Sequence, residues 1–311
     1  KLSDVTRPLA RPSDIQGETT RLLREELNAG WCYYVDWDLD GNLGVVLRDS
    51  AREGLPSLAG AHDVSDAPEF LQLLAVDNVL AVRDYANYEQ LSSRIRQKFV
   101  ALGFRSMMVA PLIKQGRLIA SMLVGDTELR DWSASEASLL VETAERTWAA
   151  IERAHAEAAL RASEERQKFL LELSDTIGAL NDPLDIAEAV TARLCERLQV
   201  SRALYGEIEG YQLKVKQDST REVPSIVGEH SMEPFGPDYL AAYKASAVIR
   251  VNDIEQDGRL TEGARVGLRE RQVAAFADAI LFEVDGEVSL LAVQSATRRQ
   301  WSDDEETLIR E

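Results

Sequence analysis

The feature that most constrains this 311-residue chain is an internal repeat. Ser3-Asp4, Leu9, Pro12 and Asp14-Ile15 return as Ser174-Asp175, Leu180, Pro183 and Asp185-Ile186. Asp49-Ser50-Ala51-Arg52-Glu53, followed by Pro56-Ser57, Gly60 and His62, returns as Asp218-Ser219-Thr220-Arg221-Glu222, followed by Pro224-Ser225, Gly228 and His230. Val79 to Asp84 matches Val248 to Asp253, and Trp132-Ser133 matches Trp301-Ser302. So many elements in the same order mean one supersecondary unit built twice. The copies differ by two residues in one hairpin loop, Val35 to Asp49 against Gly206 to Asp218, where a shared fold tolerates length change.

Each copy opens with a helix at Pro12 or Pro183, since Pro suits the first helical position. Its apolar stripe runs Ile15, Thr19, Leu22, Leu23, Leu27 in copy one and Ile186, Val190, Leu194, Leu198 in copy two. Two strands, Trp31 to Trp37 and Leu43 to Arg48, are expected across the turn Asp40-Gly41-Asn42. A loop with Gly60 and His62 leads to a short helix, a strand near Val79 to Arg83 and a helix to Ala101. A second hairpin turns at Lys114-Gln115-Gly116-Arg117, and Ser133 with Glu136 forms a capping box that Ser302 and Glu305 repeat. The expected fold is α+β: two domains, each a five- to six-stranded antiparallel sheet with helices on both faces, joined by a long helix. The expected boundaries are 1–134, a linker helix at 135–180, and 181–311.

Composition narrows the function. With 53 acidic against 35 basic side chains, the net charge of -18 opposes nucleic-acid binding, which needs clustered Lys and Arg. It opposes contact with an anionic membrane as well. Two cysteines, Cys32 and Cys195, cannot build a disulfide framework, so a reducing cytoplasm is expected. No apolar run reaches the ~18 residues of a membrane span. A chain that starts without Met and stops inside a helical pattern reads as a fragment of a longer parent. Phosphate-binding, metalloprotease, nucleophile-elbow and dinucleotide motifs are missing, so no catalytic residues and no metal ligands are expected.

The order of elements, the Pro-Ser-x-x-Gly-x-His segments at 56–62 and 224–230, and the Trp-Ser-x-x-Glu segments at 132–136 and 301–305 resemble GAF domains. The closest likeness is to those placed in tandem with PAS domains in bacterial sensor histidine kinases. Glu145 to Arg166 is similar to the helix that leads out of such domains. The resemblance implies a sensory region and a histidine kinase parent. Patterns of particular GAF classes are missing: no Cys-His pair, no Asp-Ile-Pro after Asp84 or Asp253, no cyclic-nucleotide signature. The expected cofactor is thus an unidentified small molecule, with covalent bilin and haem not expected.

Pocket candidates are Tyr34, His62, Phe70, Asp84, Arg94 and Met108 in copy one, and Tyr205, His230, Tyr239 and Asp253 in copy two. A few polar groups converging in an apolar cleft fix a small ligand. The alternative is that aromatics fill the core, the histidines bond loop backbone, and the aspartates cap turns. In the linker helix, Leu140, Ala144, Thr147, Ile151, Ala154 and Ala158 keep a heptad pattern, and Ala162, Phe169 and Leu173 continue it after a stutter. This predicts a parallel homodimer that relays a signal to a downstream domain; the rivals are a ligand-free scaffold and an unusual photoreceptor.

Overall fold

The computed structural model describes residues 11–76, 79–237, 239, 248–282 and 288–311. The chain divides into two compact units, Lys1–Leu160 and Arg161–Glu311. In the first, helix α1 (Pro12–Glu26) precedes strands β1 (Trp31–Asp38), β2 (Leu43–Val46), β3 (Asp49–Ala51) and β4 (Gly60–Asp63). Helix α2 (Pro68–Leu74), β5 (Leu80–Val82), α3 (Ser93–Ala101), β6 (Ser106–Lys114) and β7 (Arg117–Asp126) complete it. Every pairing is antiparallel, in the order β4-β2-β1-β7-β6-β5, with β3 also on β1. The β6–β7 hairpin turns on Gln115 (φ 52°) and Gly116 (φ 76°). Two consecutive positive φ values give the turn whose twist matches the strands.

Alternation along β1 assigns its two faces. Tyr33 and Val35 enter one apolar core with Phe70, Ile95 and Phe104, under α2 and α3. Cys32 and Tyr34 enter the other with Ile15, Leu23 and Met108. That second core is closed by the 44-residue helix α4 (Ala134–Ile177), whose Leu140, Ala144, Ile151 and Ala154 pack into it. α4 starts as expected: Ser133 N–H donates to Glu136 Oε2 at 2.7 Å, and Glu136 N–H donates to Ser133 Oγ at 3.2 Å.

In the second unit α5 (Pro183–Leu198) leads to β8 (Arg202–Glu209), β9 (Gln212–Thr220), β10 (Gly228–Ser231) and β11 (Val248–Val251). Then come α6 (Glu262–Glu270), β12 (Ala275–Phe282), β13 (Val288–Ser295) and α7 (Asp303–Arg310). The sheet order β10-β9-β8-β13-β12-β11 repeats that of the first unit. Sheets with helices on both faces are thus formed twice, as the repeat predicts.

The shared motifs are fasteners. Arg130 Nη2 donates to Leu27 O (2.7 Å) and to Glu136 Oε1 (2.5 Å), with its guanidinium 4.3 Å from the Trp132 ring. Arg299 does the same with Leu198 O (2.8 Å), Glu305 and Trp301. One cation thereby ties the carbonyl end of the first helix to the start of the last in each copy. No described helix is long and apolar enough to cross a membrane.

The linker residues are corrected. Leu140, Ala144, Thr147, Ile151 and Ala154, expected in an interchain seam, are buried against the first unit's own sheet. Phe169 packs on the core of the second unit. Ala158 is exposed, and Ala162 and Leu173 are half-buried. An apolar stripe has the same period whether it meets a partner helix or its own sheet, so periodicity could not separate the two.

Candidate functional site

The Pro-Ser-x-x-Gly-x-His segment forms a loop clasp in both copies. The Asp49 carboxylate accepts from Ser57 Oγ (2.8 Å) and from Leu58 N–H (2.5 Å). His62 Nε2–H then donates to Leu58 O at 2.7 Å. In copy two Asp218 accepts from Ser225 Oγ (2.8 Å) and Ile226 N–H (2.7 Å), and His230 Nε2–H donates to Ile226 O at 2.6 Å. Gly60 (φ 138°) and Gly228 (φ 136°) hold a backbone conformation that side chains resist. The carbonyl partners fix both rings as Nε2–H tautomers, leaving Nδ1 as acceptor. In copy two it takes Arg271 Nη2–H at 3.3 Å.

Between this loop, α3 and the sheet, copy one encloses a cavity of about 350 Å³. Tyr33, Trp37, Phe70, Phe99 and Phe104 supply aromatic walls, and His62, Asp63 and Lys98 are its polar members. Lys98 Nζ lies 3.2 Å from Asp66 Oδ1, and Arg94 Nη2 lies 2.5 Å from Asp66 Oδ2. The Arg94 bond, then that of Lys98, hold the Asp66 carboxyl below the usual carboxylate range. Gly44 sits under the Trp37 ring, where a Cβ would come within 2.8 Å of Cζ3, so glycine is what lets the indole cross β2. Trp37 Nε1–H donates to Ser121 Oγ at 2.9 Å and fixes that ring.

Copy two carries a shallower, more open cleft of about 420 Å³ elsewhere, bounded by Asp253, Glu255, Arg269 and Arg298. At the equivalent place it has a cleft of only about 60 Å³ among the described residues, lined by Leu213, Met232, Phe235, Phe276, His230 and Arg271. Gly44 is replaced there by Leu213 in the repeat, and the 3₁₀ turn Glu233–Phe235 brings Phe235 to the rim. At ~30 Å³ per water, such a space takes about two waters. The 350 Å³ of copy one falls in the ~300–1,000 Å³ range of ligand pockets.

Of the expected pocket residues, His62 and Phe70 line the cavity of copy one, and His230 lines the cleft of copy two. Tyr34 and Met108 do not: both are buried on the opposite face of the sheet, and Tyr33 and Val35 face the cavity instead. A strand read one residue out of register exchanges its faces. Tyr205 repeats the error; its hydroxyl lies 3.4 Å from Ser289 Oγ, while Leu204 lines the cleft. Asp84 accepts from Ala86 N–H at 3.1 Å and from Asn87 Nδ2 at 2.8 Å, a turn cap away from the cavity. Asp253 accepts from Glu255 N–H at 2.9 Å in a similar turn, away from the His230 cleft and at the edge of the open one bounded by Arg269 and Arg298. Arg94 pairs with Asp66, and Tyr239 is a core aromatic 5.1 Å from Phe235. Sequence reasoning missed Trp37, Lys98 and Phe99; the Gly44-for-Leu213 exchange within the repeat was the available signal. Among the described residues no group of His, Cys, Asp and Glu could hold a metal.

The model of the GAF domain family matches residues 11–151 and 182–311. The chain therefore belongs to the GAF domain family, with two copies in tandem, and GAF domains are sensory rather than catalytic modules. A comparison with curated proteins finds no match. Among solved structures, a bacteriophytochrome of the photosynthetic bacterium R. palustris is similar over 93% of this chain and 60% of its own, at 13% identity and a TM-score of 0.63. That likeness shows the fold, and this chain spans 60% of that structure's length. The phycoerythrobilin-bound GAF domain of a cyanobacterial phytochrome matches 50% of this chain and 94% of its own, at 23% identity and TM-score 0.44. The blue-light-absorbing PixJ GAF domain of Thermosynechococcus elongatus matches 52% and 95%, at 20% identity and TM-score 0.42. The expectation against a covalent bilin is corrected by the solved structures: a bacteriophytochrome shares the fold of this chain, and another matching structure is that of a phycoerythrobilin-bound GAF domain.

Proposed function

We propose that the chain is the sensory region of a cytoplasmic signal-transduction protein in which the first GAF domain holds the ligand and the second serves as a filled scaffold. The difference in free volume, about 350 Å³ against about 60 Å³ in the same fold, carries this reading. The wall of Tyr33, Trp37, Phe70 and Phe99 suits a flat, mainly apolar molecule, to which His62 offers the Nδ1 acceptor and Lys98, shared with Asp66, a cation for an acidic group; a bilin is one of that kind. Occupancy would alter how α4 lies on the sheet, and α4 would pass the change to a downstream domain of a longer parent, such as a histidine kinase. A parallel homodimer would pair along a part of α4 its own units leave open, the face shared by the exposed Leu160 and Leu171. Differential affinity of a few kcal/mol between two helix positions suffices for such a relay.

The test is titration of the purified chain with biliverdin and with two-ring aromatic acids, read by absorption and by tryptophan fluorescence. Binding in the wild type, weakened at least tenfold by Val46→Phe with the thermal midpoint retained, supports the assignment; Val46 is 2% exposed and lines the cavity. Binding that Val46→Phe leaves unchanged, or none with any of these probes, overturns it.

A further inference from the structure

We infer that Gln16 and Asp36 form a proton-binding latch that sets how firmly α4 lies on the first domain. None of its groups lines the cavity, which lies across the sheet, so it can be tested without any ligand there.

α1, β1 and α4 meet in the layer opposite the cavity. Gln16, Thr19 and Tyr34 are each 0% exposed there. Gln16 Nε2–H donates to Asp36 Oδ2 at 2.9 Å. Gln16 Oε1, Thr19 Oγ1 and the Tyr34 hydroxyl are buried with no hydrogen-bond partner among the described residues. Buried polar atoms are nearly always partnered, because leaving one unmade forfeits its hydration. The repeat supplies an internal control. The positions of Gln16 and Thr19 are Ala187 and Val190 in copy two, and that of Asp36 is Glu207, which reaches Lys216 at 2.5 Å. This fold therefore packs the same layer without a buried amide, and the polar set belongs to copy one.

The chemistry of the pair favours a proton. An ionised carboxylate only accepts, so it uses Gln16 Nε2–H and offers nothing to Gln16 Oε1. A carboxyl that has taken a proton from solvent gains an O–H, and that O–H satisfies Gln16 Oε1 in a two-bond amide–acid pair. Among the charged groups around it, α4 brings Glu152 and His155, with Glu145 nearer Tyr34, whereas α1 presents the uncharged Gln16. Burial holds the Asp36 carboxyl above its usual range; the Gln16 bond and His155 oppose that, and Glu152 adds to it. Because the packed state binds the proton more tightly than the open one, packing strengthens as pH falls toward the raised value and weakens as pH rises through it. Ionised Asp36 faces Glu152 on α4 with like charge, and Ile151 and Ala154 beside it are buried in the same layer, so the proton acts on the helix.

Hydrogen–deuterium exchange of amides 143–155 between pH 3.5 and pH 8, corrected for intrinsic rates, tests this on the full chain. The wild-type opening constant is expected to fall as pH is lowered through the raised Asp36 value, by up to about two- to tenfold, the worth of one hydrogen bond. Asp36→Asn, whose amide carries the donor at every pH, is expected to be protected throughout and flat. The same pH dependence in both proteins would assign it to His155 or Glu152 and overturn the latch. Carbon-13 NMR titration of the Asp36 carboxyl needs no variant. A midpoint above the model-peptide value of about 3.9 is expected, and one at or below it overturns the proposal.

Discussion

Replacing Arg202 by Ala probes what closes the second domain. Arg202 is 1% exposed and stands where copy one has Trp31. Its Nη1 donates to Gln294 Oε1 at 2.5 Å, and Nη2 donates to Pro224 O (2.7 Å) and Arg271 O (3.2 Å). Nε lies 3.7 Å from the carboxylate of Asp218, which is 3% exposed. Trp31 Nε1–H meets the equivalent carbonyl, Pro56 O, at 2.9 Å, so the two side chains do one shared job and Arg202 adds a charge to it. Removing one partner of a buried ion pair costs about 3–5 kcal/mol, because the other charge is left uncompensated. Asp218 keeps its bonds from Ser225 and Ile226, which points to the lower figure. About 3 kcal/mol corresponds to a thermal midpoint lowered by about 6–12 °C for a unit of this size. Arg202→Trp restores the carbonyl bond but no charge, and should recover about 1 kcal/mol. Hydrogen exchange reads the loss where it occurs: amides of β8 and β13 should lose protection while those of β1 and β7 keep theirs. A loss below 1 kcal/mol, or an equal loss in both domains, would refute the reasoning.

His62→Ala should cost about 1 kcal/mol in urea denaturation, and His230→Ala more, because His230 also accepts from Arg271. Burial pushes both the Cys32 and Cys195 thiols up, so the native chain should resist a thiol reagent at pH 8 and react at both sites once unfolded; rapid native reaction would contradict this. Burial raises Glu136, but bonds from Ser133 and Arg130 outweigh it and leave the carboxyl below its usual range. The stability it contributes is present above the ordinary Glu value and lost as pH falls through the lowered one. Thermal melts should therefore show a larger loss from pH 7 to pH 3 in the wild type than in Glu136→Gln.

Much of the fold was legible because its signals are local. Pro12 and Pro183 start helices, Ser133 and Ser302 cap two others, and Gln115-Gly116 turns a hairpin, each through atoms a few residues apart. The candidate site was less legible because it depends on strand register. Tyr33 and Tyr34 are adjacent and chemically identical, yet one faces the cavity and the other the helix layer. Apolar patterning could not choose between them, since both faces of β1 are buried. The histidines lay where the repeat put them, but their task, holding Leu58 O and Ile226 O, needed the loop's path.

By itself, then, the sequence determined that one α+β unit is built twice and joined by a helix, because a repeat imposes the same local structure on both copies. The tertiary structure alone decided that the cleft beside the sheet is about 350 Å³ in copy one and about 60 Å³ at the equivalent place in copy two among the described residues, since free volume is a sum over side chains from distant segments such as Gly44, Trp37 and Phe99. It decided also that the stripe Leu140 to Ala154 belongs to the first domain's own core: an amphipathic helix states only that one face must be covered, and the sheet it meets settles by what.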